Sequence, residues 1–217
     1  MMVIDRTKGD ECMKKRMIVF GGTGVFGQAF IPLALAQGYQ VTSVSPSGTP
    51  KEFATWQAEV EWRCADVLTS TKWHQWIETA DILVDAIGII QEKPKQARTY
   101  QRFNAETAEI LAREGKKAGV SVFVYLSAQP FTTLLLKKYF QSKKMAEEKI
   151  QRFYPKAIIV RPSLLVNKTR KLTFVFLALG PFIRLLFPTF RPALVEDVAK
   201  EVLQQIQKQV RDTKSLH

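Results

Sequence analysis

The sequence predicts an α/β fold: a doubly wound parallel sheet with a small C-terminal helical region. Three observations predict it. Short apolar runs alternate with helix-like stretches along most of the chain. The runs are mostly apolar on both faces, as parallel strands covered by helices should be. The first run feeds a glycine-rich turn that leads directly into a helical pattern.

The first strand is expected at Met17–Phe20, followed by the turn Gly21-Gly22-Thr23-Gly24-Val25-Phe26-Gly27 and a helix at Gln28–Gln37. The second and third strands fall at Gln40–Ser45 and Val60–Cys64, and a helix at Thr71–Glu78 follows. A fourth strand, Ile82–Ile87, precedes the long helical pattern Ala97–Ala118. A fifth, Ser121–Leu126, precedes the helix Leu136–Phe153, and Ala157–Val160 is the sixth. Two further helices are expected at Leu172–Leu186 and Val195–Val210. Such alternation implies right-handed crossovers.

The chain has 217 residues, 46% of them hydrophobic, enough for one well-buried α/β domain. Residues 16–217 are expected to form it, with a helical or lid segment from about 165. Residues 1–15 read as a flexible leader, with Met13 as an alternative start. No secretory pattern precedes the first strand. The two cysteines, Cys12 and Cys64, fit neither a metal spacing nor a disulfide framework. The expected location is therefore a reducing one: cytoplasmic, or peripheral on the inner side of a membrane, and not secreted.

The glycine turn carries the first chemistry. Glycines at 21, 24 and 27 permit a sharp turn and a close backbone approach. The helix that follows then aims its N-terminus at an anion. Between a buried-type strand and a helix, this is the device that holds the pyrophosphate of a dinucleotide. Gly21, Thr23, Gly24, Val25, Phe26 and Gly27 are the candidates for that contact.

Tyr139 and Lys143 carry the second. Four residues apart on a helix, they share a face. An ammonium near a phenol favours its ionised form, so Tyr139 is expected to act as general acid or base near neutral pH. Lys143 can also donate to the ribose of a bound nicotinamide nucleotide. Ser127 ends the fifth strand at the carboxyl edge of the sheet, where ligands of such folds bind. It is read either as a hydrogen-bond partner for a substrate oxygen or as a turn cap.

Several motifs occur in a characteristic order: GGTGVFG, Asp66-Val67, Ala86-Ile87-Gly88, Asn104, Tyr125-Leu126-Ser127-Ala128, Tyr139-x-x-x-Lys143, Arg161-Pro162-Ser163 and Pro192-x-x-x-x-Asp197-Val198-Ala199. The set resembles the extended, atypical branch of the short-chain dehydrogenase/reductase superfamily, whose domain is of the Rossmann type. Within it, the chain is most similar to the accessory subunit of respiratory complex I and to proteins of coenzyme Q biosynthesis. The resemblance implies that Asp66 and Val67 flank an adenine and that Ala86, Ile87 and Gly88 line the cofactor. It implies that Ser127, Tyr139 and Lys143 form the catalytic-type triad. Asn104 is read as a buried side chain satisfying backbone groups.

The cofactor is NADP or NAD. NAD binders place an acid at the end of the second strand, and none stands in Val41–Gly48. Relatives often carry arginine where Pro46 stands. With no carboxylate to repel a 2′-phosphate, and with Ser45, Ser47 and Lys51 available to hold it, NADP is favoured.

The net charge is +12, and Lys137–Lys171 holds eleven Lys or Arg against two Glu. Such a surface attracts anions. No nucleic-acid motif accompanies it, so nucleic acid is not an expected partner. The adjoining Leu172–Phe190 carries one charge, Arg184, in 19 residues. Gly180-Pro181 and Pro188 interrupt it, against a membrane span. Internal packing as a lid or dimer face, or a membrane-surface contact, remain its readings. Two functions follow. One is NAD(P)-dependent oxidation, reduction or epimerisation of a small or lipophilic carbonyl or alcohol substrate; the other is a non-catalytic NAD(P)-binding structural or regulatory protein.

Overall fold

The computed structural model describes residues 14–52, 54–130, 136–166 and 192–214. Most of the expected leader with Cys12, the basic residues 168–171, the helix expected at Leu172–Leu186 and the apolar run to Phe190 lie outside the described residues.

Six parallel strands form the main sheet: β1 (Arg16–Phe20), β2 (Gln40–Ser45), β3 (Val60–Cys64), β4 (Ile82–Asp85), β5 (Val122–Leu126) and β6 (Ile158–Val160). Their order is β3-β2-β1-β4-β5-β6. The order reverses between β1 and β4, and the carboxyl ends of those two strands open the crevice where such sheets bind ligands. A second, two-stranded parallel sheet pairs β7 (Leu164–Val166) with β8 (Pro192–Leu194), a feature the sequence pattern did not reveal.

Alternation along the strands builds two cores. Met17, Val19, Val84, Val122 and Val124 face α1 (Val25–Ala36) and, at the C-terminal end of the described chain, the helix Val195–Lys214. Ile18, Phe20, Leu83, Phe123 and Tyr125 face the opposite layer: α2 (His74–Ile77), α3 (Thr107–Lys117) and α4 (Lys137–Phe153). The helix Val195–Lys214 becomes α5 in this order. Phe30 and Phe123 are fully buried, and truncating either to alanine is expected to cost about 3–5 kcal/mol. No helix among the described residues is long and apolar enough to cross a membrane.

Several of the expected elements shift at their ends. The first helix begins at Val25, not Gln28, because Gly24 is its N-cap and the Gln28 amide already donates to the Gly24 carbonyl at 3.0 Å. The fourth strand stops at Asp85 rather than Ile87, because the Asp85 carboxylate accepts the Ile87 amide at 2.9 Å and turns the chain out of the sheet. The helix expected at Thr71–Glu78 is reduced to the single turn His74–Ile77. The long third helix opens with a π-helical turn, Gln101–Glu106, which carries Asn104.

Candidate functional site

The glycine turn is held from below. Gly21 has φ +83°, in the left-handed region, and a Cβ there would lie 2.9 Å from the Ala86 carbonyl oxygen. A Cβ on Gly27 would sit 2.3 Å from the Gly22 carbonyl oxygen, and one on Gly22 would sit 2.2 Å from Ser43 Oγ. Gly22 and Gly27 therefore set how closely α1 meets the turn, and Gly27 lines neither cleft above it. Gly24 is different: it is exposed, and a Cβ there would meet only the Gly21 carbonyl oxygen, at 3.1 Å. Val25 lines the cleft, while Phe26, also at its wall, stacks on Phe30 at 5.3 Å within the core.

Two clefts open from this turn and share Gly21, Gly24 and the loop Ala86–Ile89. The one over β2 encloses about 400 Å³ between Thr23, Ser45, Asp66 and Val67 on one side and Arg98 and Thr107 on the other. Ser45 Oγ donates to the Gly48 carbonyl at 3.2 Å, and Ser47 Oγ reaches Thr23 Oγ1 at 3.4 Å, so these hydroxyls cluster at its rim. Lys51 is exposed and does not line it. Asp66 is turned to its own backbone, accepting the Leu68 amide at 2.8 Å. A larger cavity of about 490 Å³ lies at the opposite, amino-terminal edge of the sheet beside Arg16, Gln40 and Glu59. None of the expected site residues reaches it.

The cleft over β5 encloses about 310 Å³, and Ser127, Tyr139 and Lys143 all line it, with Ala86, Ile87 and Gly88 as its floor. Lys143 Nζ is buried, donates to the Leu126 carbonyl oxygen at 2.8 Å and lies 4.6 Å from the Tyr125 ring centroid. Burial lowers its pKa to about 8, against the pull of the Asp85 and Glu147 carboxylates. Asp85 is wholly buried, and one of its oxygens has no partner. Burial raises its pKa to about 7, opposed by the Ile87 amide and by Lys143.

Tyr139 departs from the expectation. Lys143 donates its ammonium to the Leu126 carbonyl, with Asp85 acting on it only through its charge, and Tyr139 packs against Tyr100 with ring centroids 5.6 Å apart. Burial, reinforced by Tyr100, pushes the phenol up to about 12. Tyr139 is thus fully protonated near neutral pH and can donate a proton far more readily than accept one.

Ser127 is not a turn cap. Its hydroxyl donates to Glu147 Oε1 at 2.5 Å, and Arg161 grips Glu147 with Nε at 2.9 Å and Nη2 at 2.6 Å. Asn104 is the buried structural residue expected. Its Oδ1 accepts the Ile89 amide at 3.0 Å, and its Nδ2 donates to Ser142 Oγ at 3.0 Å. Ser142 Oγ donates in turn to the Tyr139 carbonyl oxygen at 2.7 Å.

Sequence reasoning passed over Glu147, Asp85 and Arg98. Glu147 had a signal: Tyr139, Lys143 and Glu147 stand four apart on one helix face. Asp85 had one too, as an acid ending an otherwise apolar strand. Arg98 had none: it falls inside the expected helical pattern Ala97–Ala118, yet the structure sets it in a turn that precedes the π-helical segment Gln101–Glu106.

The NAD(P)H-binding family matches residues 21–208 of this chain. MIOREX complex component 2 of Saccharomyces cerevisiae is 29% identical over 220 residues, covering 78% of this chain and 77% of its own length. An uncharacterized chloroplastic protein of Arabidopsis thaliana is 28% identical over 160 residues; the match covers 72% of this chain and 52% of that protein, about half its length. Among solved structures, the Bordetella bronchiseptica enzyme WbmH in complex with NAD+ superposes with TM-score 0.65 at 14% identity, over 89% of this chain and 73% of that one. A Bacillus anthracis dTDP-4-dehydrorhamnose reductase in complex with NADP gives TM-score 0.62 at 18% identity, over 91% and 72%. At such identities the likeness is one of fold. The doubly wound sheet and the NAD(P)-binding character read from the sequence are both borne out.

Proposed function

The chain belongs to the NAD(P)H-binding family, and on that premise we propose that it is an oxidoreductase that uses NADP in preference to NAD to reduce a small or lipophilic carbonyl compound. The observation that carries this reading is the shared wall of one cleft. Ser127, Tyr139 and Lys143 line the same cavity of about 310 Å³ that opens from the glycine turn.

The residues present fit a dinucleotide. The exposed backbone at Gly24, with nothing but the Gly21 carbonyl near its missing side chain, leaves the approach to the helix N-terminus clear for a pyrophosphate. The hydroxyls of Thr23, Ser45 and Ser47, and the absence of an acid in Gln40–Ser45, favour a 2′-phosphate over a bare ribose. When bound, the cofactor supplies a hydride to the substrate carbonyl carbon. Tyr139 gives its phenolic proton to the carbonyl oxygen, yielding the alcohol. Lys143, its ammonium donating to the Leu126 carbonyl, places a positive charge in the wall of the same cleft. Ser127, its own proton turned to Glu147, offers a lone pair to a substrate hydroxyl. The basic stretch Lys137–Lys171 beside the apolar Leu172–Phe190 supports a membrane-surface setting for a lipophilic substrate.

A second reading is a non-catalytic NAD(P)-binding component of an assembly. The engagement of Ser127 by Glu147 favours it, as does the word "complex" in the name of the yeast relative. One experiment separates the two. Loss of reduced-nicotinamide absorbance is followed across a carbonyl panel, beside calorimetric titration of NADPH and NADH. Turnover that Tyr139→Phe abolishes without loss of NADPH affinity supports the enzyme. Tight binding with no turnover supports the second reading, and no binding overturns both. A tenfold preference for NADH, about 1.4 kcal/mol, overturns the choice of NADP.

A further inference from the structure

We propose that Arg98 is a phosphate-binding residue, closing over the cleft above β2 to grip a phosphate of the bound dinucleotide from the side opposite the glycine turn. The inference rests on the dinucleotide reading of that cleft and goes beyond it by assigning a residue that no glycine-turn motif contains.

The first support is a charge inventory. Of the described residues lining the cleft above β2, only Asp66 and Arg98 carry charge, and Asp66 is turned to the Leu68 amide. The cleft above β5 adds Lys143 alone, which is buried and engaged by Leu126 and Asp85. A dinucleotide brings a pyrophosphate, and NADP brings a further phosphate. Arg98 is therefore the accessible cation facing those charges among the described lining residues. It is exposed, and no carboxylate among the described residues pairs with it. Its guanidinium lies 6.0 Å from the Phe103 ring centroid, a contact that leaves the planar fork free to bind two phosphate oxygens at once.

The second support is how Arg98 is held. Lys93 and Arg98 pair across a tight turn, with amide to carbonyl distances of 2.8 Å and 3.2 Å. Between them Ala97 has φ +53°, a conformation that an alanine keeps only where the surroundings enforce it. The turn is fastened at its base: the Tyr100 amide donates to Glu92 Oε1 at 2.7 Å, and Tyr100 Oη donates to the Ile90 carbonyl at 2.7 Å. The result is a short, internally bonded flap rising from the end of β4, with Arg98 at the cleft.

Calorimetry on the full chain tests this. The parent, Arg98→Ala and Arg98→Lys are titrated with NADPH, NADH, ADP and 2′,5′-ADP at one ionic strength. Arg98→Ala is expected to weaken NADPH binding tenfold or more, and Arg98→Lys to recover part of the loss, since it restores the charge without the fork. Equal losses for all four ligands assign Arg98 to the phosphates on the 5′ side. Losses confined to NADPH and 2′,5′-ADP assign it to the 2′-phosphate. If Arg98→Ala binds all four ligands as the parent does, the proposal is overturned while the dinucleotide reading stands. If the parent binds neither dinucleotide, that reading fails first and the proposal with it.

Discussion

Ser127 Oγ stands 2.5 Å from Glu147 Oε1, with its single proton committed to that carboxylate. Two elements far apart in sequence meet here: the end of β5 and the third turn of α4. Arg161, following β6, holds Glu147 through two hydrogen bonds and ties a third element to the pair. The hydroxyl that faces the cleft is left with acceptor capacity only.

A double-mutant cycle measures that link. Glu147→Gln is expected to cost about 1–2 kcal/mol in urea unfolding, discounted for the half-exposed Arg161. Ser127→Ala should cost less, and the coupling between the two should be about 1 kcal/mol. Additive losses would show that the short contact contributes nothing.

The glycines separate by role. Gly27→Ala drives a methyl into the Gly22 backbone and is expected to lower stability and dinucleotide affinity together. Gly24→Ala meets one carbonyl at 3.1 Å and should leave the thermal midpoint nearly unchanged while NADPH affinity falls at least tenfold. Thermal unfolding and calorimetry on the same two variants check this. Unimpaired binding by Gly24→Ala would remove the pyrophosphate from the turn.

The buried pair predicts an unusual pH dependence. Asp85 rises from 3.8 to about 7, so across that window the folded chain holds a proton that the unfolded chain has released. Its contribution to stability therefore falls as pH rises from 3.8 to 7. Lys143 drops from 10.5 to about 8, so between those values the unfolded chain binds the extra proton and stability rises with pH. The two limbs leave a minimum in the pair's contribution near pH 7–8. Asp85→Asn should erase the acid limb and move the alkaline limb lower, because Lys143 loses the carboxylate that supports its charge. Urea midpoints as a function of pH, parent minus variant, display both effects.

Tyr139→Phe is expected to leave NADPH affinity within about twofold and to reduce turnover about 10²–10⁴-fold. Lys143→Met should impair both. In the cofactor-free protein, a tyrosinate difference spectrum between parent and Tyr139→Phe should stay flat until the pH nears 12, where the phenol titrates. A Tyr139 signal near neutral pH would restore the activated phenol first expected.

The sequence reading was strongest where physics is local. The strands of the main sheet lay open in short, mostly apolar runs, with β2 (QVTSVS) and β3 (VEWRC) the more polar of them, and the glycine turn announced its own crevice. Where a side chain chose between partners, locality failed. The spacing of Tyr139 and Lys143 suggested that one would charge the other. Instead, burial beside Asp85 drew the ammonium down to Leu126, and Asp85 arrives from a strand 58 positions earlier. Glu147 was visible on the right helix face, but its partner Ser127 is brought to it only by the folded sheet. Arg98 falls inside the expected helical pattern Ala97–Ala118, yet its place follows from a turn whose bonds are made within the loop itself.

Asn104 holds the Ile89 amide with one end of its side chain and Ser142 with the other. The loop that would receive a flat ring and the helix turn that carries the phenol therefore take their positions from one common reference. The distance between the two walls is thus set through one fully buried side chain. In the proposed reductase, transfer of a proton on one side and a hydride on the other would depend on that gap. A single carboxamide, itself out of reach of any substrate, thus works as the spacer that calibrates it.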